Sequence, residues 1–168
     1  MDVPERLSVC ADSSVPARLV ARLRRAGVTV HTASEGGVRQ ETATALSQWA
    51  EGLGAALLSL DQRLWNDQRH PLARSTGIIV LKFTPGRLDE AEEAFHNVQQ
   101  TFGGAYRPAS WKGVKILATP LTCLFKMFAT DGTVVAQTVE RGHGRAGADR
   151  PGLAKGTVRR REAVHTAV

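Results

Sequence analysis

Four short apolar runs are separated by amphipathic stretches in the first hundred residues. The runs are typical of buried strands and cover 7–11, 28–33, 55–60 and 77–83. Apolar residues that recur every three to four positions predict helices just after residue 13, over about 40–53 and over 88–102. Strands that alternate with helices predict an α/β fold, with a mainly parallel central sheet, a three-layer α/β/α arrangement and right-handed crossovers.

The first helix carries clear end signals. Ser13 and Ser14 are typical N-cap residues and Pro16 is favoured in a first turn, so we expect a serine cap. Gly27 is expected to end the helix. Its polar side is covered by four arginines: Arg18, Arg22, Arg24 and Arg25.

The pattern changes after residue 112. Three strands are predicted over 114–118, 121–129 and 133–139, and Asp131-Gly132 is a strong hairpin-turn signal. Beyond residue 140 the periodicity fades, which predicts disorder. We therefore predict three parts: an α/β domain over 1–105, a β-hairpin extension over 106–140 packed on the same domain, and a basic tail over 141–168.

Length and composition narrow the class of protein. A chain of 168 residues suits one domain with a tail, and it can bury a core without help from a metal or a disulfide. Only two cysteines occur, Cys10 and Cys123, which excludes a disulfide scaffold and a Cys-rich zinc module. No apolar stretch reaches the length of a membrane span, and the first residues do not read as a secretory signal. We expect a cytoplasmic protein without a membrane partner.

The positive charge is concentrated near the C-terminus. The formal net charge is +6, and from residue 141 onward bases outnumber acids by five. The rest of the chain is almost neutral. The tail is either a solvated extension or an arm that contacts phosphates, with an affinity that falls as salt rises.

Two aspartates each come directly after an apolar strand. Asp12 follows the first strand and Asp61 follows the third. In a parallel sheet both strand ends lie at the same edge, where two close carboxylates repel unless a proton, a basic side chain or a divalent cation intervenes. Such a cluster would suit magnesium, which could activate water or stabilise the charge of a cleaved phosphodiester. Alternatively, one aspartate caps a helix and the other ends a strand in a turn.

Two segments resemble small PIN-like proteins that are linked to toxin–antitoxin systems. The run from Leu7 through Asp12 and Pro16 to Gly27 and His31 resembles that family's opening, an apolar run, Asp-Glu-Asn-x-Pro, a helix and Gly-x-Asp-Val. Residues 57–61 and 77–81 resemble its Thr-x-Asp strand end and its Gly-Ile-Ile-x-Leu strand. The resemblance covers about 6–105 and implies a PIN-like fold and a magnesium- or manganese-dependent ribonuclease, the toxin component of such a system.

The resemblance also implies roles for individual residues. Asp12 and Asp61 would hold the metal, while Glu41 and Asp67 would act through water or position the nucleophile. In the ribonuclease hypothesis, RNA phosphates would be contacted by Arg63 and His70 and by three arginines of the basic tail beyond the similar segments: Arg159, Arg160 and Arg161. Alternatively, His70 fixes its loop. The implied partners are RNA, an antitoxin protein and a second copy of the chain in a homodimer.

Three positions depart from the family's acidic pattern. Ser13, Ala43 and Arg63 stand where acids are expected. Arg63 could neutralise the Asp61 carboxylate without a metal. This favours, as the alternative, a degenerate PIN-like module that binds a partner protein or nucleic acid. A receiver-like phosphorylation switch is a third hypothesis, but it needs a second acid after the first strand and a later lysine than Lys82.

Several lysines and tryptophans have two interpretations each. Lys112, Lys115 and Lys126 lie on or beside the predicted hairpin strands, where they would flank a groove or cover a solvated strand face. Trp65 and Trp111 would stack on a base or cover the core.

Overall fold

The computed structural model describes residues 7–39, 42–102, 111–141 and 158–159. Within these residues the strands are β1 Ser8–Ala11, β2 Thr29–Thr32, β3 Ala56–Ser59, β4 Ile78–Leu81, β5 Lys115–Ala118, β6 Thr122–Phe128, β7 Val134–Glu140 and β8 Val158–Arg159. The α-helices are α1 Ala17–Arg25, α2 Ala43–Gly52 and α3 Leu88–Phe102. Two short 3₁₀ turns, Gln62–Trp65 and Leu72–Arg74, lie between β3 and β4.

The strands of the described residues form one sheet in the order β2-β1-β3-β4-β5-β6-β7-β8. The first five strands pair in parallel, and β6, β7 and β8 extend the sheet by antiparallel pairing. In the middle of the parallel part, Cys10 lies opposite His31 on one side and Leu57 on the other. The predicted α/β class with a mainly parallel central sheet is therefore confirmed.

Helices cover both faces of the sheet. On the face called here the α1/α3 face, Leu19 of α1 and Phe95 of α3 pack on alternate strand residues such as Ile79. On the opposite face, the α2 face, Leu46 of α2 and Leu64 of the first 3₁₀ turn close a second core. None of these helices is both long and apolar enough to cross a membrane, as far as the described residues go.

The crossover connections do not all have the same hand. The chain moves from β1 to β2 and then back past β1 to β3, with α1 and α2 on opposite faces, so these two connections share one hand. The step from β4 to β5 runs in the same direction as the step from β2 to β3, yet α3 lies on the α1/α3 face. The expectation that every crossover is right-handed is therefore wrong. The first 3₁₀ turn already packs on the α2 face beside β4 and β5, so α3 covers the other face.

Two helix starts differ from the predicted ones. The N-cap of α1 is Pro16, which makes no side-chain capping bond, because the Ser14 hydroxyl is hydrogen-bonded to Asp12 instead. The predicted serine cap is therefore wrong. α2 begins at Ala43 rather than near residue 40, since Thr42 accepts a hydrogen bond from the Ala45 backbone N–H at 3.2 Å and caps the helix there.

The C-terminal strands continue the same sheet. β5 pairs in parallel with β4, so the β6–β7 hairpin extends the α/β sheet directly. Gly132 has a φ of +83° in the predicted Asp131-Gly132 turn, as that turn chemistry requires. Within the predicted tail, β8 pairs with β7 through Val158 opposite Val139, and this short strand was not predicted.

The two cysteines are buried on opposite faces of the sheet. Cys10 belongs to the core of the α2 face and Cys123 to the core of the α1/α3 face. Burial raises the pKa of the Cys10 thiol to about 12 and that of the Cys123 thiol to about 11. Both thiols are therefore free and un-ionised in the folded protein at neutral pH.

We expect Gly77→Ala to destabilise the fold more than Gly132→Ala. Both glycines have a positive φ, +101° and +83°, a conformation that costs an alanine about 1–2 kcal/mol. At Gly77 an added Cβ would also lie 2.8 Å from the Cβ of Trp111, whereas at Gly132 it would meet no atom within 4 Å. Urea unfolding should show an additional loss of about 1–3 kcal/mol for Gly77→Ala. Equal losses would contradict the steric argument.

Candidate functional site

The structure places Asp12 and Asp61 at the same edge of the sheet. Asp12 follows β1 directly, and Asp61 comes two residues after the end of the neighbouring strand β3. The Asp12 backbone N–H donates to the Leu58 carbonyl at 3.1 Å, which continues the β1–β3 pairing to the edge. Asp12 is buried, with 9% of its surface exposed. The strand ends therefore meet as the sequence predicts.

Two serines connect the ends of these strands. The Ser14 backbone N–H donates to Asp12 Oδ1 at 2.9 Å, and its hydroxyl donates to the same oxygen. Ser14 Oγ also accepts from the Leu60 backbone N–H at 2.8 Å and lies 3.2 Å from Ser59 Oγ. Ser59 Oγ in turn accepts from the Asp61 backbone N–H at 3.0 Å. Sequence reasoning missed this network, because Ser14 carries the signal of a helix cap and Ser59 lies within a strand.

Arg63 occupies both oxygens of the Asp61 carboxylate. Its Nε lies 2.9 Å from Oδ1 and 3.0 Å from Oδ2, and its Nη2 lies 2.8 Å from Oδ2. The Arg63 backbone N–H donates to Oδ1 at 2.9 Å, so Asp61 also caps the first 3₁₀ turn. The hydrogen bonds from Arg63 lower the pKa of Asp61 below its usual value. The carboxylate is thus ionised and already paired with a cation of the chain.

Asp67 lies in a separate ion cluster with two lysines. Its Oδ1 is 2.9 Å from Lys115 Nζ of β5, and its Oδ2 is 2.9 Å from Lys126 Nζ of β6. Lys115 has 0% of its side chain exposed and also donates to the His70 carbonyl oxygen. Burial raises the pKa of Asp67, but the two lysines outweigh it and leave the pKa below its usual value. Asp67 therefore serves the packing of the β3–β4 connection on β5 and β6.

The buried position of Lys115 corrects both interpretations of that residue. It neither flanks an open groove nor covers a solvated strand face, because its ammonium group points into the α2 side of the sheet toward Asp67. Burial lowers the pKa of Lys115, and the Asp67 carboxylate acts in the opposite direction. No local sequence pattern predicts the Lys115–Asp67 ion pair, since the two residues are 48 positions apart.

Trp65 and Trp111 both make contacts within the protein. Lys126 Nζ lies 4.2 Å from the centre of the Trp65 ring, a cation–π contact within the same ion cluster. Trp111 is buried, and its ring lies 5.7 Å from that of Phe102. Trp111 therefore belongs to the core of the α1/α3 face, the second of its two interpretations, whereas Trp65 is half-buried and packs against Lys126.

His70 lies close to the ion pair at this edge. Burial is the main cause that lowers its pKa, and the Lys115 charge acts in the same direction, while the Asp61 carboxylate opposes both. The imidazole is therefore neutral at pH 7. In that state it offers a phosphate one N–H donor and no positive charge.

The carboxylates described do not assemble into a metal site. Among residues 7–39, 42–102, 111–141 and 158–159, no group of three or more His, Cys, Asp or Glu side chains is placed to hold an ion. Asp61 and Asp67 each have both oxygens bound by basic side chains. Glu41, Arg160 and Arg161 lie outside the described residues, and Arg159 is described only as the residue of β8 that pairs with Thr138. The carboxylates that the structure describes therefore do not fit the magnesium or manganese ion that the resemblance implies.

Comparison of the chain with protein-family models, with curated proteins and with solved structures finds no match.

Removal of the shared carboxylate should destabilise the protein more than removal of the buried ammonium. Asp67→Ala leaves Lys115 charged inside the sheet without its carboxylate, a change of the kind that costs about 3–5 kcal/mol. Lys115→Met keeps a long unbranched side chain, removes the buried charge and leaves Asp67 paired with Lys126. Urea unfolding at pH 7 compares the two variants. A larger loss in Lys115→Met would contradict the account of this cluster.

We expect the pKa of Asp61 to rise toward its ordinary value of 3.8 in Arg63→Gln, because the hydrogen bonds that lower it are lost. Since the pKa is lowered in the folded state, the pair stabilises the protein above the ordinary value. That contribution is lost as the pH falls through the lowered pKa. Carboxyl ¹³C NMR titration measures the change. Arg74→Gln, an exposed arginine of the second 3₁₀ turn, serves as the control, and a shift of similar size there would refute the assignment.

Proposed function

We propose that this chain is a PIN-like module that binds RNA at the Asp12–Asp61 edge and does not hydrolyse it. The observation that carries the proposal is the contact of Arg63 with both oxygens of Asp61. A guanidinium group of the chain stands where a hydrolytic site would need a divalent cation. At position 63, where the family pattern has an acidic residue, this chain has a basic one.

The energetics of the edge support a site without a metal. Two neighbouring carboxylates repel each other unless a counter-charge intervenes, and Arg63 supplies one to Asp61. A magnesium ion at Asp61 would have to displace three charge-assisted hydrogen bonds from the guanidinium, which are stronger than neutral ones. Oδ1 of Asp12 already accepts two hydrogen bonds from Ser14. Asp61 therefore has a counter-charge, and Asp12 is held in a fixed orientation by Ser14, before any ligand arrives.

Arg63 is also placed to contact a phosphate. Its side chain is 73% exposed, and the atoms that bind Asp61 are Nε and Nη2, so Nη1 is not engaged in that pair. Arg69 is exposed in the same connection, and His70 adds a neutral N–H donor. Guanidinium groups match phosphate geometry well. The basic residues after 141 supply sequence-independent attraction that is strongest at low salt.

A metal-dependent ribonuclease is the second candidate. The observation in its favour is that Asp12 and Asp61 follow adjacent parallel strands and that Asp12 forms no ion pair within the described part of the chain. This function requires Arg63 to swing away from Asp61 and requires further acids from outside the described residues. The two candidates differ in their dependence on Mg²⁺, so one set of measurements separates them.

A fluorescently labelled single-stranded oligoribonucleotide, titrated with the full chain, tests the proposal. We expect equal affinity in EDTA and in Mg²⁺, with the RNA recovered intact. Arg63→Gln should weaken binding and reduce the slope of log affinity against log salt by about one, the signature of one lost phosphate contact. The control Arg74→Gln should match the wild type, because Arg74 precedes β4 at the opposite edge of the sheet.

Two results would reject the proposal. RNA cleavage that requires Mg²⁺ and is lost in Asp12→Asn would establish the ribonuclease instead. Affinity that is unchanged in Arg63→Gln, or no binding at low salt, would remove RNA recognition from this edge.

A further inference from the structure

We infer that an arginine-lined groove between α1 and the start of α3 binds the phosphate groups of a nucleotide-sized ligand. The cavity has a volume of about 390 Å³. Arg18, Arg22 and Arg25 of α1 form one wall, and Gly86, Leu88 and Asp89 belong to the other. This groove is on the α1/α3 face, whereas Arg63 belongs to a turn on the α2 face. The inference is therefore independent of the proposed function.

The three arginines follow from the helical repeat of α1. Leu19, Val20 and Leu23 face the core, and this fixes which side of the helix meets the solvent. Positions 18, 22 and 25 are spaced by four and three residues, so neighbouring arginines lie about 5–6 Å apart on one stripe. Like charges at this spacing repel, and every charged residue of α1 is an arginine. This repulsion lowers the stability of the folded protein, and a bound anion would offset it by neutralising the arginines.

Of the three arginines that line the groove, Arg18 contributes least to the stability of the helix itself. Arg22 and Arg25 lie in the last turn, where a positive charge is favourable, but Arg18 is the second residue of the helix. Near a helix N-terminus the macrodipole favours negative charge instead. A basic residue in that turn, on the same stripe and lining a cavity, is what a phosphate site needs. Helix formation alone does not require it.

The acids around the groove are already paired. Arg87 holds Asp89 through two hydrogen bonds of 3.1 and 2.7 Å and lies 3.7 Å from Glu90. Glu92 accepts from Arg22 at 2.8 Å. Within the described residues, Arg18 and Arg25 form no ion pair. Arg87 holds the one carboxylate that lines the cavity within the described part of the chain, that of Asp89. Arg18 and Arg25 therefore face the cavity without an ion-pair partner among the described residues. Arg22 can exchange Glu92 for a ligand.

The ligand chemistry follows from these donors. Guanidinium groups bind phosphate oxygens in a bidentate manner, and several of them in a row suit two or more linked phosphates. A cavity near 400 Å³ lies within the range of small-molecule sites and fits one nucleotide. The phosphates can come from a free nucleotide or from the backbone of an RNA strand, and the same three arginines would hold either.

Isothermal titration calorimetry with the full chain in EDTA tests the groove, with inorganic pyrophosphate, ADP and a 5′-phosphorylated oligoribonucleotide as separate probes. Pyrophosphate should bind, and Arg18→Gln/Arg25→Gln should weaken it at least about tenfold. The control Arg39→Gln/Arg74→Gln makes the same charge change at exposed arginines outside the groove and should stay within about twofold, the change expected of net charge alone. Glu92→Gln should tighten binding, because it releases Arg22.

The probes also separate the source of the phosphates. ADP binding that the groove variant weakens and Arg63→Gln leaves unchanged would assign the site to a free nucleotide. Oligoribonucleotide binding that the groove variant weakens, with no ADP binding, would assign it to an RNA strand. Equal weakening by the groove variant and its control, no binding of pyrophosphate, or weaker binding in Glu92→Gln would overturn the inference. The circular dichroism of each variant, compared with the wild type, confirms that the fold is retained.

Discussion

The ammonium group of Lys115 is the constraint on which much of the architecture depends. A charge that is fully buried at the parallel strand β5 needs a carboxylate and further acceptors, and both come from the β3–β4 connection through Asp67 and the His70 carbonyl. The connection is thereby held against the α2 face beside β4 and β5. With that face covered, α3 packs on the other one, and the β4–α3–β5 crossover has the opposite hand to the two crossovers through α1 and α2. The same contacts hold the β3–β4 connection in place, and this connection positions Arg63 and His70 at the edge of the sheet.

The edge itself is organised by pairing within the chain. Asp61 is neutralised by Arg63, and Asp12 is oriented by Ser14, so the carboxylates that a hydrolytic site would use are committed before any ligand binds. The β3–β4 connection therefore contributes to two charge clusters: an exposed one, Asp61 with Arg63, and a more buried one, Asp67 with Lys115 of β5 and Lys126 of β6. The exposed one retains donors that can reach a phosphate. The proposed recognition of RNA without catalysis rests on this arrangement, because a bound guanidinium substitutes for a metal ion without supplying an activated water.

Local sequence signals predict the three α-helices, the strands β1 to β7 and one of the two charge clusters, but neither β8 nor the two 3₁₀ turns. α3 begins and ends at the predicted residues because its apolar stripe is continuous over 88–102. Arg63 was recognised as a partner of Asp61 because the two are only two positions apart. The pairing of Lys115 with Asp67 had no such signal, since a lysine in a strand is usually solvated and its partner is distant in the chain. The serine cap failed for a related reason: the hydroxyl of Ser14 found a stronger acceptor in the carboxylate of Asp12.

The reactivity of Cys10 and Cys123 can be used to measure local opening of the folded protein, because both thiols are free and buried. Each thiol is sealed within a different layer, one beneath α2 and one beneath α3. A thiol-specific alkylating reagent can reach either sulfur only when the helix layer above it opens, because both side chains are buried. Burial also raises both thiol pKa values and so suppresses the thiolate, which is the reactive form. The modification rates at the two positions therefore report how often each side of the sheet opens. Their ratio tells whether the two layers separate together or one at a time.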